Sequence, residues 1–463
     1  MHLVGDSSVR SLDTASTPLP RIAILGQVPY TTLVSGAGSG ASRYGDIAIN
    51  RWRLDGTRDD YGQWCYLRDT RSGRVWSAGH QPICAEASWY RVTMADDRVA
   101  IHRCDGSFET LTEIVVVPGA AAEVRRVTVT NTSDTDAEIE LTSYQEIVLA
   151  TSVSDRGHRA FGNLFVQTEW LPSSGTILAM RRPRSAKDKS LWCGHTITAN
   201  GSPGGPISCE TDRARFIGRG HSSRNPVAMG TDGDLSGTSG AVLDPVFALR
   251  VKLTIPAGRS AHVSFTTFVA ADRGDAVRLA GHFHVAGHVD KAFDLAAAEA
   301  THELGELGIT ANDVARYQDM AGVLLYGSRS AGPVVAEGGE EPGRAQLLAI
   351  GMTGERPIVL ALLETHGGLA GVSELLTLHR YWRLKGIACD LVILCGTDVN
   401  DQLTHDLTSM LIDSGESDLF DQPGGLFVRR RSAMSSREIG LLEAVARRRM
   451  ECSEDGLIES VDG

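Results

Sequence analysis

The feature that most constrains this chain is a period-two alternation of apolar and polar residues from about residue 20 to about residue 270. Residues 89–119, WYRVTMADDRVAIHRCDGSFETLTEIVVVPG, show it well. An Asp-Asp pair and then Asp105-Gly106 separate the alternating runs, and Asp-Gly between such runs is typical of a tight β-hairpin. Repeated over this length, the pattern predicts a large antiparallel β-sandwich.

The period changes near residue 288, where Phe293, Ala296, Ala300 and Leu304 fall on one helical face. Thr310 with Asp313 predicts a capping box that opens a second helix. After a Gly-, Pro- and Glu-rich stretch, short apolar runs alternate with helical periods, which predicts a small α/β module with a parallel sheet. Its predicted strands include AQLLAIGM and PIVLALLE, and its last predicted helix is SSREIGLLEAVARRRM, which ends at Met450. The expected fold class is therefore mostly β plus α/β, with a helical connector between the two parts.

These patterns predict six segments along the chain. They are a disordered N-terminus at 1–19, a β-sandwich at 20–285, a helical connector at 286–328, a loop at 329–344, the α/β module at 345–450 and a disordered acidic tail at 451–463.

Composition excludes some classes of function. A formal net charge of −12 argues against a nucleic-acid binder, which must neutralise phosphates. The sequence offers neither a run of about 18 apolar residues nor a signal-peptide core. Its eight cysteines form no CxxC pair, which is typical of reduced thiols. We expect a cytoplasmic protein with no cofactor, no metal and no direct membrane insertion.

The stretch RWRLDGTRDDYGQWCYLRDTRSGRVWSAGHQP, residues 51–82, is dense in acids and aromatic rings. Glycoside cleavage commonly uses two carboxylates about 5 to 10 Å apart. Asp55, Asp59, Asp60 and Asp69 lie in or beside turns, however, where Asp commonly caps its own backbone. We interpret them as turn formers.

The rings of this stretch leave two interpretations open. They could stack on sugars while nearby polar groups bind hydroxyls, or they could pack the sheet, because Trp64 and Tyr66 share one face of a period-two strand. The glycan-binding candidates are Trp52, Arg53, Tyr61, Trp64, Trp76, His80 and Gln81. No catalytic residue is predicted.

Three further motifs are weaker. His282, His284 and His288 have few acidic or thiol neighbours in the sequence, so we expect no metal site at them. The glycine-rich segment SGAGSGASRYGD lacks the Lys-Ser/Thr ending of a P-loop, so we expect it to be a flexible loop. In the α/β module, ligands would be expected at the carboxyl ends of the strands, near Gly351, residues 365–368 and residues 396–398.

The order of several segments resembles a known family. SRYGDIAINRWRLDGTRDDYGQWCYLRDTRSGRVWSAGHQP, EIELTSYQEIVLA, FGNLFVQTEW and RRPRSA resemble the supersandwich domain of glycoside hydrolase family 94 phosphorylases, and more closely the first such domain of cyclic β-1,2-glucan synthases, also described as glycosyltransferase family 36-like. PIVLALLE, LHRYWRLKGIACDLVILCG and GGLFVRRR resemble the segment that follows it there. The resemblance implies a galactose-mutarotase-like β-supersandwich and a glucan partner.

The resemblance also implies what this chain does not contain. Transfer and phosphorolysis in such synthases belong to a membrane transferase region and to an (α/α)₆ barrel, neither of which matches these residues. We therefore expect a non-catalytic, carbohydrate-associated part of a synthase-like protein, able to contact its other domains or a second copy at the cytoplasmic face of the inner membrane. The alternatives are an assembly spacer without sugar affinity and an independent phosphorylase or hydrolase.

Overall fold

The structure is a computed structural model that describes residues 9–183, 190–200, 205–230, 232–327, 344–396, 401–413 and 415–459. The chain divides into two compact units, Met1–Gln318 and Asp319–Gly463. The division falls inside the predicted helical connector. The predicted loop at 329–344 lies almost wholly outside the described residues.

The first unit contains eighteen strands within the described residues. They are β1 (Arg10–Leu12), β2 (Ile22–Gln27), β3 (Tyr30–Ser35), β4 (Gly40–Tyr44), β5 (Ile47–Asn50), β6 (Gln63–Asp69), β7 (Val75–Ser77), β8 (Trp89–Met94), β9 (Val99–Asp105), β10 (Phe108–Val116), β11 (Ala122–Asn131), β12 (Ala137–Thr151), β13 (Val166–Leu171), β14 (Thr176–Arg181), β15 (Leu191–Asn200), β16 (Ser208–Asp212), β17 (Pro245–Ile255) and β18 (Ser260–Ala270).

These strands form two antiparallel sheets. One has the order β1-β8-β9-β10-β11-β18-β15-β14-β13. The other has the order β16-β17-β12-β5-β4-β3-β2, with β6 paired to β12 and β7 paired to β6. The predicted antiparallel sandwich is confirmed, including the hairpin at Asp105-Gly106, which joins β9 to β10.

The sandwich core follows from the period of two. Alternate residues of each strand point inward, so Val127 and Val129 of one sheet share an apolar cluster with Leu141 and Val251 of the other. Each of these side chains is at most 1% exposed. Burial of one such side chain stabilises the fold by about 1.5 to 3 kcal/mol.

The helices of the first unit are α1 (Ser152–Asn163), α2 (Arg213–Ile217), α3 (Arg273–Phe283) and α4 (Ala286–Leu307), and α5 (Ala311–Tyr326) contains the division between the units. Helices α3 and α4 cover the outer surface of the first sheet, whereas α1 and α2 lie against strands of the second. Phe283 and Phe293 pack with Phe268 against the first sheet. A Cβ on Gly194 would lie 2.1 Å from the Phe268 ring, so glycine is required for this packing.

Helix α5 also protects an edge strand. Gln318 donates to the Ile24 carbonyl at 2.9 Å and accepts from the Ile24 amide at 3.0 Å. An edge strand otherwise exposes such groups to wrong pairing. The predicted capping box is confirmed, because the Asp313 carboxylate accepts from the Thr310 amide at 2.9 Å and the Asp313 amide donates to the Thr310 hydroxyl at 3.2 Å.

The second unit is the predicted α/β module. Its elements are α6 (Arg344–Ala349), β19 (Ile358–Leu363), α7 (Leu369–Leu384), β20 (Asp390–Cys395), α8 (Asp401–Asp413), β21 (Leu426–Arg430), α9 (Ser436–Val445), β22 (Ala446–Ser453) and β23 (Gly456–Glu459). The strand order is β21-β20-β19-β22-β23, with every pair parallel except β22 with β23.

Several sequence predictions were wrong in detail. The run AQLLAIGM, expected as a strand, begins in helix α6 because Ala, Gln and Leu favour helix. The helix expected through Met450 ends at Val445 and gives way to β22. At the N-terminus, expected to be disordered, Arg10–Leu12 pairs with β8.

The acidic tail at 451–463 was also wrongly predicted as disordered over its described part. Strands β22 and β23 form a hairpin across Asp455-Gly456, and both Cys452 and Leu457 are buried. The sequence does contain a hairpin signal at Asp455-Gly456, because Asp-Gly between apolar residues is the same pattern that forms the hairpin at residues 105–106. The acidic composition outweighed it in the prediction.

Candidate functional site

The two central tryptophans of the 51–82 stretch belong to the core. Trp76 is fully buried and stacks on Phe108 with ring centroids 5.5 Å apart. Trp64 is 5% exposed and packs in a cluster with Tyr66 and Tyr144. Neither ring offers a free face to a sugar, so packing of the sheet accounts for both.

Buried charges hold the start of this stretch, at the end of β5. Arg51 donates to Asp155 at 3.0 Å and to Asn163 at 3.1 Å, and it also pairs with Glu146. Burial alone would raise the pKa of Glu146, but its pKa is lowered because the cations around it, Arg51 first, outweigh burial.

The predicted glycan-binding residues Trp52 and Arg53 come directly after Arg51 in the chain. Arg53 pairs with Asp155 at 2.8 Å, and the Trp52 side chain is half-buried. The charged cluster thus fixes the backbone that leads into the 54–62 loop.

Two of the four aspartates are turn formers, as predicted. The Asp55 carboxylate accepts from the amides of Thr57 and Arg58 at 3.0 Å each. The Asp69 carboxylate accepts from the Arg71 amide at 3.1 Å. Asx turns of this kind are structural.

Asp59 has a different role from the one predicted. Its backbone lies in the left-handed region with φ of 46°, and its carboxylate accepts hydrogen bonds from the Ser35 hydroxyl at 2.7 Å and from the Ser39 hydroxyl. These serines belong to the glycine-rich segment SGAGSG, which was expected to be a flexible loop. It is instead a buried turn between β3 and β4, because the Asp59 carboxylate binds it.

An open polar groove lies beside this turn. Its volume is about 420 Å³, within the usual range for small-molecule sites. Four separate segments line it, residues 15–21, Gly36 with Ala37, residues 56–59, and His80 with Gln81. The predicted candidates His80 and Gln81 therefore lie together, and Arg58 and Asp59 join them.

Hydrogen bonds hold the groove residues in position. Gln81 donates through its side chain to the Arg58 carbonyl at 2.8 Å and through its backbone amide to the Ala37 carbonyl at 2.9 Å. Arg58 pairs with Asp60 at 2.8 Å. The other five predicted candidates, Trp52, Arg53, Tyr61, Trp64 and Trp76, do not line this groove.

Electrostatics set the protonation of two groove residues. Burial raises the pKa of Asp59 to about 6, the two serine hydrogen bonds oppose this rise, and Asp60 and Asp55 add to it. Burial lowers the pKa of His80, with help from Arg103 and Arg224. At neutral pH the groove therefore presents a carboxylate, a neutral imidazole, an amide and the guanidinium groups of Arg21 and Arg58, which together donate to and accept from hydroxyl groups.

The groove does not present the acid/base pair of a glycosidase. Asp59 is the one carboxylate among the described residues that line it. Cleavage of a glycosidic bond commonly needs two. The arrangement is suited to binding a polar ligand.

Other predicted motifs lie elsewhere. His282 lies in the last turn of α3 and His288 in the first turn of α4, and their rings stack with centroids 4.0 Å apart. Within the described residues, no group of three or more His, Cys, Asp or Glu side chains could hold a metal ion, and no helix is long and apolar enough to cross a bilayer.

In the second unit, the glycines at the carboxyl end of β19 serve packing. A Cβ on Gly368 would lie 2.6 Å from the Cys452 carbonyl, and one on Gly367 would lie 2.2 Å from the Glu454 side chain. The β22–β23 hairpin therefore fills the place where a ligand was expected. Residues 397 and 398, part of that expectation, lie outside the described residues.

The chain is similar in sequence to one known protein family and to several carbohydrate-active enzymes. Residues 6–286 match the family described as "Glycosyl hydrolase 94, supersandwich domain". The chain is 29% identical over 424 residues to the cyclic beta-(1,2)-glucan synthase NdvB of Rhizobium meliloti, covering 90% of this chain and 15% of that protein. It is 25% identical over 282 residues to the N,N'-diacetylchitobiose phosphorylase of Vibrio furnissii, covering 60% of this chain and 34% of that protein. The chain thus spans about a third or less of the length of these relatives.

Among solved structures, a bacterial glucoamylase complexed with acarbose matches with a TM-score of 0.38 and 7% identity, over 69% of this chain and 44% of that one. A putative kojibiose phosphorylase from the human microbiome matches with a TM-score of 0.32 and 6% identity, over 70% and 36% of the two chains. Scores at this level carry no argument about function.

Proposed function

The chain belongs to the glycosyl hydrolase 94 supersandwich family, and from that premise we propose that it is a non-catalytic, carbohydrate-associated portion of a cyclic β-1,2-glucan synthase-like protein. It is related to glucan synthases and phosphorylases. In this role it binds or positions β-glucan chains during synthesis or chain-length control.

The polar groove is the observation that supports the proposal. It brings Arg58, Asp59, His80 and Gln81 together at the surface of the sandwich in a volume of about 420 Å³. Specific sites for small ligands commonly combine a concave surface with a few fixed polar groups. Because the groove has one lining carboxylate, binding fits it better than glycoside cleavage does.

The test is a calorimetric titration of the folded chain with β-1,2-gluco-oligosaccharides of increasing length and with a β-1,4 series. The proposal predicts saturable heat that grows with length and favours the β-1,2 series. A flat trace in both series would contradict it and would favour the alternative of an assembly spacer without sugar affinity.

A matched pair of variants locates the binding. Arg58 is 72% exposed and pairs with Asp60, whereas Arg278, on α3 outside the groove, is 66% exposed and pairs with Asp275. Loss of a charged hydrogen bond costs about 1.5 to 3 kcal/mol, so Arg58→Ala is expected to weaken binding by about tenfold or more. Arg278→Ala is expected to leave the affinity unchanged, and equal effects of the two variants would exclude the groove.

A further inference from the structure

The turn that carries the groove residues His80 and Gln81 ends at an unusual residue. The Cys84 amide donates to the His80 carbonyl at 2.9 Å, and the Cys84 backbone lies in the left-handed region with φ of 57°. A residue with a Cβ is disfavoured in this region, where glycine is the usual choice. A side chain kept at this position indicates a role that glycine could not fill.

The Cys84 thiol contacts the amide of Gln81. Its Sγ donates to Gln81 Oε1 at 3.5 Å, and the Pro82 carbonyl lies farther from it, at 3.7 Å. At the other end of the amide, Gln81 Nε2 donates to the Arg58 carbonyl at 2.8 Å. Both contacts require the same orientation of the amide, with its oxygen toward Cys84 and its nitrogen toward Arg58. A rotation of the amide by half a turn would break both.

Backbone strain is concentrated beside the groove. Among the described residues, the residues other than glycine with positive φ are Asp59, Cys84, Leu149 and Asp421. Asp59 lines the groove, and Cys84 binds Gln81, which also lines it. Strain of this kind persists only where the surrounding structure holds it, and it clusters at binding sites. Its position therefore supports a site that is formed before the ligand arrives.

An amide held in one orientation offers a ligand a donor and an acceptor side by side. An amide nitrogen has two hydrogens and an amide oxygen accepts two hydrogen bonds, and the contacts with Arg58 and Cys84 use one of each. Two adjacent hydroxyls of a sugar ring can bind the remaining donor and acceptor together. An amide that rotates freely would have to be ordered by the ligand, which costs affinity.

We propose that Cys84 is a positioning residue for glucan binding, whose left-handed backbone shapes the turn and whose thiol fixes the Gln81 amide to bind two adjacent hydroxyls of a sugar. This inference rests on the proposed function and adds to it the part of the sugar that the groove recognises.

Three substitutions separate the thiol from the backbone. Cys84→Ser keeps a donor near Gln81 Oε1, Cys84→Ala removes the donor on the same strained backbone, and Cys84→Gly removes both the donor and the strain. Loss of a neutral hydrogen bond weakens affinity by about twofold to tenfold. In calorimetric titration with β-1,2-gluco-oligosaccharides, Cys84→Ala and Cys84→Gly are expected to bind about threefold or more weakly, and Cys84→Ser within about twofold of the unaltered chain.

Cys104 supplies the matched control. It is half-buried like Cys84, and its thiol donates to the Gly106 carbonyl at 3.6 Å, outside the groove. Cys104→Ala is expected to leave the affinity unchanged. Equal affinities of Cys84→Ala and Cys104→Ala, or an affinity of Cys84→Ser as low as that of Cys84→Ala, would overturn the proposal.

Thermal unfolding distinguishes positioning from a merely structural role. Glycine adopts positive φ without strain, so the midpoint of Cys84→Gly is expected to be unchanged or raised while its affinity falls. A structural role would lower the midpoint and the affinity together. A midpoint of Cys84→Gly about 2 °C or more below that of the unaltered chain would therefore overturn the proposal.

Nuclear magnetic resonance of the full chain measures the order of the Gln81 amide without a sugar. The side-chain amide signal, identified by its absence in Gln81→Leu, is expected to have the heteronuclear NOE of an ordered group in the unaltered chain and in Cys84→Ser, and a lower value in Cys84→Ala. Equal values in all three would overturn the proposal even if the chain binds glucan. Ordered values in a chain that binds no oligosaccharide would support the positioning of Gln81 and contradict the proposed function.

Discussion

The partly buried carboxylate of Asp59 makes the stability of the sandwich depend on pH in a defined direction. Its pKa in the folded chain is about 6, against an ordinary value of 3.8. The folded state therefore holds this proton more tightly than the unfolded state does. The resulting stabilisation is fully present below about pH 4 and is lost as the pH rises through about 6.

The size of this pH-dependent contribution to the unfolding free energy follows from the two pKa values of Asp59, 3.8 and about 6. At about 1.4 kcal/mol for each pH unit, ionisation costs the folded state about 3 kcal/mol in full. Between about pH 4.5 and about pH 7.5, titration with these values removes about 2 kcal/mol. The Asp59→Asn variant has no carboxylate at this position, so its unfolding free energy does not fall in this way as the pH rises.

The assay is urea unfolding of both proteins followed by tryptophan fluorescence. Six of the seven tryptophans lie in the first unit, so the signal reports mainly the sandwich. The difference in unfolding free energy, variant minus unaltered chain, is expected to rise by about 2 kcal/mol across this pH range. Asp69→Asn, at an exposed turn, controls for the loss of one negative charge, and a difference for Asp59→Asn that does not change with pH would refute the reasoning.

Three further substitutions test the packing and the charges. Trp76→Ala is expected to lower the unfolding free energy by about 3 to 5 kcal/mol in urea titration, because it empties a fully buried site; a loss below about 1 kcal/mol would contradict the core position. Arg51→Ala removes the most buried cation of the cluster, while Arg213 still pairs with Glu146 and Arg53 with Asp155. We therefore expect a loss of about 1.5 to 3 kcal/mol in the same titration, as for charged hydrogen bonds. An unchanged midpoint would show that the cluster does not stabilise the fold. Asp313→Ala removes the cap of α5 and is expected to lower the unfolding free energy by about 1 kcal/mol, measured by thermal unfolding. An unchanged midpoint would show that the cap does not stabilise the fold.

The sequence was sufficient for the sandwich because alternation is a local signal. Val127 and Val129 face inward for the same reason that Leu141 does, and Asp105-Gly106 marks its own turn. Helices α4 and α5 were equally readable from their periodicity and from the cap at Thr310. Where two local signals competed, as in the acidic hairpin around Asp455-Gly456, composition misled the prediction.

The groove was only partly predictable because long-range pairing assembles it. His80 and Gln81 were candidates, but nothing local connects them with residues 15–21 or with Gly36. The role of Asp59 depends on Ser35 and Ser39, some twenty residues earlier in the chain. The same limit applies to Trp64 and Trp76, whose local pattern fits a sugar platform as well as a core.

The most direct test of the central claim is hydrogen–deuterium exchange on the full chain with and without a β-1,2-gluco-oligosaccharide. Glucan bound in the groove is expected to slow exchange in peptides that contain residues 15–21, 55–62 and 79–83, and to leave exchange in β14 and β15 unchanged. Protection absent from these three segments, or confined to other parts of the chain, would contradict the groove as the glucan-binding site.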